Sequence, residues 1–379
     1  MRIALITYST KPRGGVVHTL NLAEALGRLG AEVTVWSLAR GGDQGFFRTV
    51  DPVVHQRLVP FENRDDESIT ERIVRSIDTL RAAFTADEYD IVHAQDCISA
   101  NAVGHCIRTI HHLDQFTTPI LAECHEKAVV APYARICVSR GVADEVRAGW
   151  GLSPTVIPNG VDFARFHDAA SNTPEAIARR EGWRNRLGRY VLAVGGIEPR
   201  KGSIDLLDAY ALVRDTDPDL GLVFAGGETL FDYRDYRSEF DCRQTELGLH
   251  PTVLGPVDDD QLPSLVAASE VFAFPSTKEG FGLAAMEALA AGRPVVAREL
   301  PILREVFGDT VMYAESAGSL ADGILAARTP DAQRAHHGRS LARSLTWEAA
   351  ARAHLAFYRD HPAQGVSATT SSNPWASST

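Results

Sequence analysis

The chain of 379 residues is poor in cysteine, with only Cys97, Cys106, Cys124, Cys137 and Cys242, and no two of them form a Cys-x-x-Cys pair. That spacing supplies no disulfide framework, and it reads as reduced, mostly buried thiols of a cytoplasmic protein. A long apolar run is lacking too. The amino-terminal Arg2-Ile3-Ala4-Leu5-Ile6-Thr7-Tyr8 is too short for a signal peptide or a membrane span, so membrane association is not favoured. Positive charge is in deficit. The net charge of -11 argues against nonspecific attachment to nucleic acid or to anionic lipid. His105, His111, His112, Cys124 and His125 lie close in sequence, yet their spacing fits no compact zinc pattern, and no metal is expected.

What is present is an ordinary globular composition, 45% hydrophobic and 23% charged, in a chain too long for one core. Strand and helix patterns alternate along it. Ile3–Tyr8, a loop from Ser9 to Gly15, a helical spacing from Val17 to Leu29 and the strand Glu32–Trp36 make a Rossmann-like opening. A helix over Glu71–Phe84, strands at Asp90–Ala94, Thr118–Ala122 and Ala134–Ser139, and a helix over Val142–Trp150 continue the first half. The loops around Arg40 to Asn63 match no interpretable pattern. Pro158-Asn159-Gly160 is a turn signal between apolar runs and marks the boundary. A second alternation follows, with strands at Tyr190–Val194, Leu220–Ala225, Thr252–Leu254 and Val271–Phe274 and helices at Ile204–Val213 and Leu262–Ala268. Runs such as Tyr-Val-Leu-Ala-Val are apolar throughout, as parallel strands covered on both faces should be. The expectation is an α/β protein with an amino-terminal domain over 1–160, a second over 161–345, a last helix over 346–361 and, from its Ser, Thr, Ala and Pro content, a disordered tail over 362–379.

The most informative stretch is Pro275-Ser276-Thr277-Lys278-Glu279-Gly280-Phe281-Gly282-Leu283, followed by Met286-Glu287 and Gly292-Arg293-Pro294-Val295-Val296. A short apolar strand precedes it, strong helix formers follow, and Gly292 is placed to stop the helix. Unpaired amides at that helix start offer a site for an anion such as a diphosphate. Glu279 and Glu287 beside it would repel a bare phosphate but would accept hydrogen bonds from the hydroxyls of a sugar and a ribose. The combination points to a nucleotide sugar.

These residues resemble the signature of the family-4 retaining glycosyltransferases of the GT-B fold, the glycogen synthase and phosphatidylinositol mannosyltransferase kind, and the resemblance runs from Met1 to about His361. It implies two Rossmann-like parallel-sheet domains facing across a cleft. It also implies transfer of a hexose from a nucleoside-diphosphate sugar to a small-molecule or glycan acceptor, with neither metal nor cofactor, and a last helix that returns to the first domain. On it, Glu279 holds sugar hydroxyls, Glu287 the ribose, and the amides of Gly280, Phe281, Gly282 and Leu283 the diphosphate. His111, in Arg108-Thr109-Ile110-His111, matches the family's Thr-x-His strand end against the transferred sugar. His93 matches a second strand end, where this chain has Gln95 in place of a frequent histidine.

Two further stretches carry basic or glycine-rich chemistry. Lys11-Pro12-Arg13-Gly14-Gly15 is either a simple tight turn or a loop whose Gly14 and Gly15 bring amides to the donor phosphate, and the family has a Gly-Gly loop there. Arg200 and Lys201, in Gly195-Gly196-Ile197-Glu198-Pro199-Arg200-Lys201, are either surface charges or, at the carboxyl end of a parallel strand, diphosphate clamps. The family usually has arginine where this chain has Gly196, so Arg200 is the candidate replacement. The stretch Gly255–Asp258 would meet the base through backbone groups, which leaves UDP, GDP and ADP undistinguished. Two alternatives use the same architecture: a sugar-nucleotide epimerase and a non-catalytic nucleotide-sugar-binding protein.

Overall fold

A computed structural model describes residues 1–362 other than 65, 115, 117 and 228–232; all but the first residue of the expected tail lies outside the described residues. Seven strands build the first sheet: β1 (Arg2–Ile6), β2 (Glu32–Arg40), β3 (Val54–Phe61), β4 (Ile91–Ala94), β5 (Ile107–Ile110), β6 (Ala134–Cys137) and β7 (Thr155–Val156). Their order is β3-β2-β1-β4-β5-β6-β7, with every pair parallel. Six strands build the second: β8 (Arg189–Val194), β9 (Leu220–Ala225), β10 (Thr252–Val253), β11 (Val271–Phe274), β12 (Val295–Arg298) and β13 (Met312–Ala314). Their order is β10-β9-β8-β11-β12-β13, again all parallel. The architecture is the α/β, double Rossmann-like one.

Continuous apolar strands work here because each feeds two cores. In β1, Ile3 and Leu5 join one cluster, and Ala4 and Ile6 join the cluster on the opposite face. In β8, Tyr190 and Leu192 pack one way, and Val191 and Ala193 the other. Helices cover both faces, which is what period-two side chains that are apolar on both sides require.

The helix Trp347–Asp360 belongs to the second half in sequence but to the first in space. Thr346 caps it, its side chain accepting from the Ala349 amide at 3.1 Å. Trp347, Ala350, Ala351, Phe357 and Tyr358 complete the core that holds Ile3, Leu5 and Leu20. Burying each large aromatic ring stabilises this docking by roughly 1.5–3 kcal/mol. The two chain crossings run side by side, with Val161 bridged to Thr346 in parallel.

Two expectations are corrected. Thr118–Ala122 is no strand: Thr118 precedes a helix, Pro119–Val130, with Pro119 in its first turn, where a missing amide costs nothing. The short apolar run Ile120-Leu121 imitates a strand, but β5 and β6 pair directly and leave no gap for one. Conversely, the uninterpreted stretch from Arg40 to Asn63 contains β3, an edge strand that tolerates Pro60 and exposes His55, Gln56 and Arg57. Among the described residues, no helix is long and apolar enough to cross a membrane.

Candidate functional site

Both sheets reverse their winding direction next to their first strand. The chain moves from β1 outward through β2 to β3, then returns to β4 on the other side of β1; β8, β9, β10 and β11 repeat the pattern. Loops at such a reversal diverge and leave a crevice at the carboxyl ends of the strands. The two crevices open into one cleft of about 2320 Å³, lined by both halves.

From the second half, the turn after β8 presents Arg200 and Lys201, and the turn after β11 presents Glu279. Lys201 Nζ lies 2.5 Å from Glu279 Oε1, and Arg200 Nη1 approaches the same oxygen at 3.3 Å. Arg200 Nη2 also lies 3.3 Å from Glu198 Oε1. A hydrogen bond from the Thr277 amide to the Arg200 carbonyl, 2.9 Å, ties the two turns together. Burial alone would raise the Glu279 carboxyl, but Lys201 and Arg200 outweigh it and hold it down at about 2. The group is a carboxylate with its side chain only 10% exposed, held in its ionised form by two flanking cations. Gly196 lines the same wall.

The helix Leu283–Ala290 begins at this point without a side-chain cap, so its first amides face the cleft unclaimed. Both glycines of the preceding turn are sterically required. Gly282 has φ 95°, and a Cβ there would meet the Phe307 and Phe274 rings. A Cβ on Gly280 would stand 1.6 Å from the carbonyl oxygen of His111, so the two halves of the molecule touch at that pair. Phe281 turns its ring into the core and leaves its backbone to the cleft.

Across the cleft the first helix, Gly14–Arg28, starts at the glycine pair itself. It has no side-chain cap and no acidic residue in its first turn. His111, beyond the end of β5, lies over Gly15 at van der Waals distance from where a Cβ would be. Its ring meets His18 edge-on, with centroids 4.7 Å apart. Burial first, then the charges of His18 and Arg108, keep the His111 imidazole well below its ordinary pKa, hence neutral. His111 Nε2 is buried and has no partner in the protein. His18 is itself fixed, Nδ1 to Asn159 Oδ1 at 2.9 Å, in the Pro158-Asn159-Gly160 turn between the halves.

The structure does not bring His93 into this group. It is fully buried in β4, outside the cleft lining. Both ring nitrogens are occupied, Nδ1 by the Tyr358 hydroxyl and Nε2 by Thr109 Oγ1, each at 2.7 Å. It fastens the returning helix to the sheet and has no nitrogen left for a ligand.

Glu287 faces the cleft one turn into its helix. Burial pushes its carboxyl up to about 8; Arg165 opposes the shift, and Asp259 and Asp162 add to it. Arg165 in turn pairs with Asp259 at 2.8 Å. Gly255, Pro256, Val257 and Asp258 line the adjoining wall. Arg165, Asn159, His18 and Arg108 were not singled out from sequence. Only Arg108 carried a signal, a charged residue inside the short buried strand β5. Among the described residues, no three His, Cys, Asp or Glu side chains converge as metal ligands.

Comparison with known proteins places this geometry. Residues 12–165 match the Glycosyltransferase Family 4 model, and residues 178–338 match the model for Glycosyl transferases group 1. A D-inositol 3-phosphate glycosyltransferase of Corynebacterium aurimucosum is 29% identical over 413 residues, covering 93% of this chain and 94% of its own. A phosphatidyl-myo-inositol mannosyltransferase of Mycobacterium tuberculosis is 28% identical over 381 residues, with coverage of 93% and 94%. Among solved structures, Anabaena Alr3699/HepE in complex with UDP and glucose superposes with a TM-score of 0.71 at 20% identity, over 95% of this chain and 100% of that one. Sucrose-phosphate synthase from Thermosynechococcus elongatus gives 0.74 at 21% identity, over 95% and 98%. The two family models together match more than half of the chain, which belongs to the family-4 glycosyltransferases of the GT-B fold.

Proposed function

We propose that this glycosyltransferase moves a hexose from a nucleoside-diphosphate sugar to a polyol acceptor with retention of configuration and without a bound metal. The observation that carries the reading is the ionised Glu279, its side chain 10% exposed, held between Lys201 and Arg200 at the uncapped start of a helix. A carboxylate in that place is a hydrogen-bond acceptor for sugar hydroxyls, and the cations and amides beside it suit a diphosphate. Glu287 serves the ribose hydroxyls. His111 sets the sugar at its reacting carbon.

In the reaction, the bond from the anomeric carbon to the diphosphate oxygen breaks, and an acceptor hydroxyl oxygen bonds to that carbon on the same face. The hydroxyl proton passes to the departing diphosphate. Lys201, Arg200, the amides of Phe281, Gly282 and Leu283, and those of Gly14 and Gly15 stabilise the charge growing on the leaving group, fixed in advance of the reaction.

The acceptor side belongs to the first half, and its outer wall is basic although the chain as a whole is acidic. Arg75 occupies Glu67 at 2.5 and 2.7 Å, leaving Arg72 3.9 Å from that carboxylate. Burial, and then crowding by Arg72, Arg13 and Arg75, lower the neighbouring Arg40 guanidinium to about 10. A wall of this basic character fits an acceptor with an anionic substituent, in line with the inositol phosphate and phosphatidylinositol in the two relatives' names.

Incubation with a panel of nucleoside-diphosphate sugars tests the reading. Release of nucleoside diphosphate, accelerated by an acceptor, is the expected result. An isomerised sugar nucleotide would instead identify an epimerase, and binding with no turnover a non-catalytic binding protein.

A further inference from the structure

Buried polar atoms without a partner are rare, because each forfeits the hydrogen bonds it made in water. Five such atoms sit on four side chains that line the acceptor side of the cleft: Gln95 Oε1 and Nε2, Arg108 Nε, His111 Nε2 and His125 Nε2. Gln95 and Arg108 are 1% and 8% exposed. Gln95 directly follows β4, and Arg108 lies in the adjacent parallel strand β5, in register with Ala94. Gln95 is also where the chain departs from the histidine frequent in its family.

We propose that Gln95 and Arg108 form a specificity subsite that reads a hydroxyl pair of the acceptor beside His111. The proposal rests on the glycosyl-transfer reading above and names the part of the acceptor nearest the reacting carbon. The alternative occupant, an anion, fits poorly for two reasons. Asp96 follows Gln95 directly, and its carboxylate, which accepts from the Tyr8 amide at 2.9 Å and from the Ser99 amide and hydroxyl at 2.8 Å each, offsets the single charge of Arg108. An anion would also have no proton for Gln95 Oε1. A hydroxyl both donates and accepts, so two of them satisfy Oε1, Nε2 and the Arg108 Nε–H together. Arg108 is held for this by a bond to the Thr109 carbonyl. The anionic end of the acceptor then lies outward, toward Arg72.

The test compares the wild type with Gln95→Leu, which keeps the volume and removes both hydrogen-bonding groups, and with the near-isosteric Gln95→Glu. The acceptor panel contains inositol, inositol 3-phosphate, sorbitol and the matching deoxy compounds. Gln95→Leu is expected to lower kcat/KM for the best polyol about 10- to 100-fold, as loss of a buried partner to a substrate hydroxyl does. The Kd for nucleoside diphosphate should change less than about twofold. The deoxy compound lacking the hydroxyl that Gln95 reads should respond equally to wild type and variant. Should Gln95→Leu fail to fold, Gln95→Glu carries the test, with nucleoside-diphosphate binding as the check on its fold. An unchanged acceptor kcat/KM, or an equal rise in the nucleoside-diphosphate Kd, overturns the subsite. Donor hydrolysis without transfer to any polyol overturns it as well. A wild type that neither binds nor cleaves a sugar nucleotide overturns instead the glycosyl-transfer reading, and the subsite with it.

Discussion

Lys201 Nζ and Arg200 Nη1 both address Glu279 Oε1, at 2.5 and 3.3 Å, so a single carboxylate oxygen joins the turn after β8 to the turn after β11. This triad gives the protein an acid limit. Glu279 is held at about 2 against an ordinary 4.5. A depressed carboxyl contributes stability that is fully present above pH 4.5 and is lost as pH falls toward 2. Glu279→Gln should therefore be less stable than the wild type at pH 6, with the gap closing between pH 4.5 and 2. Urea titrations at three pH values measure it, and a gap independent of pH would contradict the ion pairs.

Arg200 is turned inward, its side chain 27% exposed between Glu198 and Glu279, on the wall that Gly196 also lines. Arg200→Ala and Lys201→Ala should each lower kcat by about ten- to a hundredfold, the equivalent of a charge-assisted bond of roughly 1.5–3 kcal/mol at the transition state. A change of less than about twofold in Arg200→Ala would show that Lys201 acts alone.

Glu287 has the opposite electrostatics. With its carboxyl near 8, the free protein holds a proton there at pH 7, and binding through a carboxylate would release it. Calorimetry in buffers of different ionisation enthalpy should show more proton release for wild type than for Glu287→Gln on nucleoside-diphosphate binding. Because the folded pKa is raised, this group subtracts stability as pH rises from 4.5 to 8, so Glu287→Gln should gain relative stability across that window while binding more weakly. Equal proton release in the two proteins would remove Glu287 from the ribose.

Gly280→Ala places a methyl 1.6 Å from the His111 carbonyl, so the halves must separate. A displacement of about 1 Å at a reacting centre costs on the order of a hundredfold in rate. The expected result is that loss in kcat with the melting temperature little changed, since the contact joins two halves with separate cores. Full activity would mean that turnover proceeds from a more open arrangement.

The donor side was legible in sequence because its parts are contiguous: strand, turn, glutamate, glycines and helix follow one another within Val271–Ala290. The pairing of Glu279 with residues 78 and 79 positions earlier was not, because ion pairs leave no periodic trace. His93 misled for a related reason. Its place at a strand end was right, but only the returning Tyr358, 265 positions away, decides that its nitrogens are occupied. The strand β3 was hidden because an edge strand need not be apolar, and the helix Pro119–Val130 was misread from two apolar residues. Gln95 and Arg108 became meaningful only when the fold brought both to the wall of one cleft with unpartnered polar atoms.

The central claim is same-face transfer driven by a departing diphosphate, and the anomeric configuration of the first product measures it most directly. Proton NMR of the reaction with an α-linked nucleoside-diphosphate hexose, followed from the earliest turnover, should show the α product forming together with nucleoside diphosphate. A β product would contradict the account.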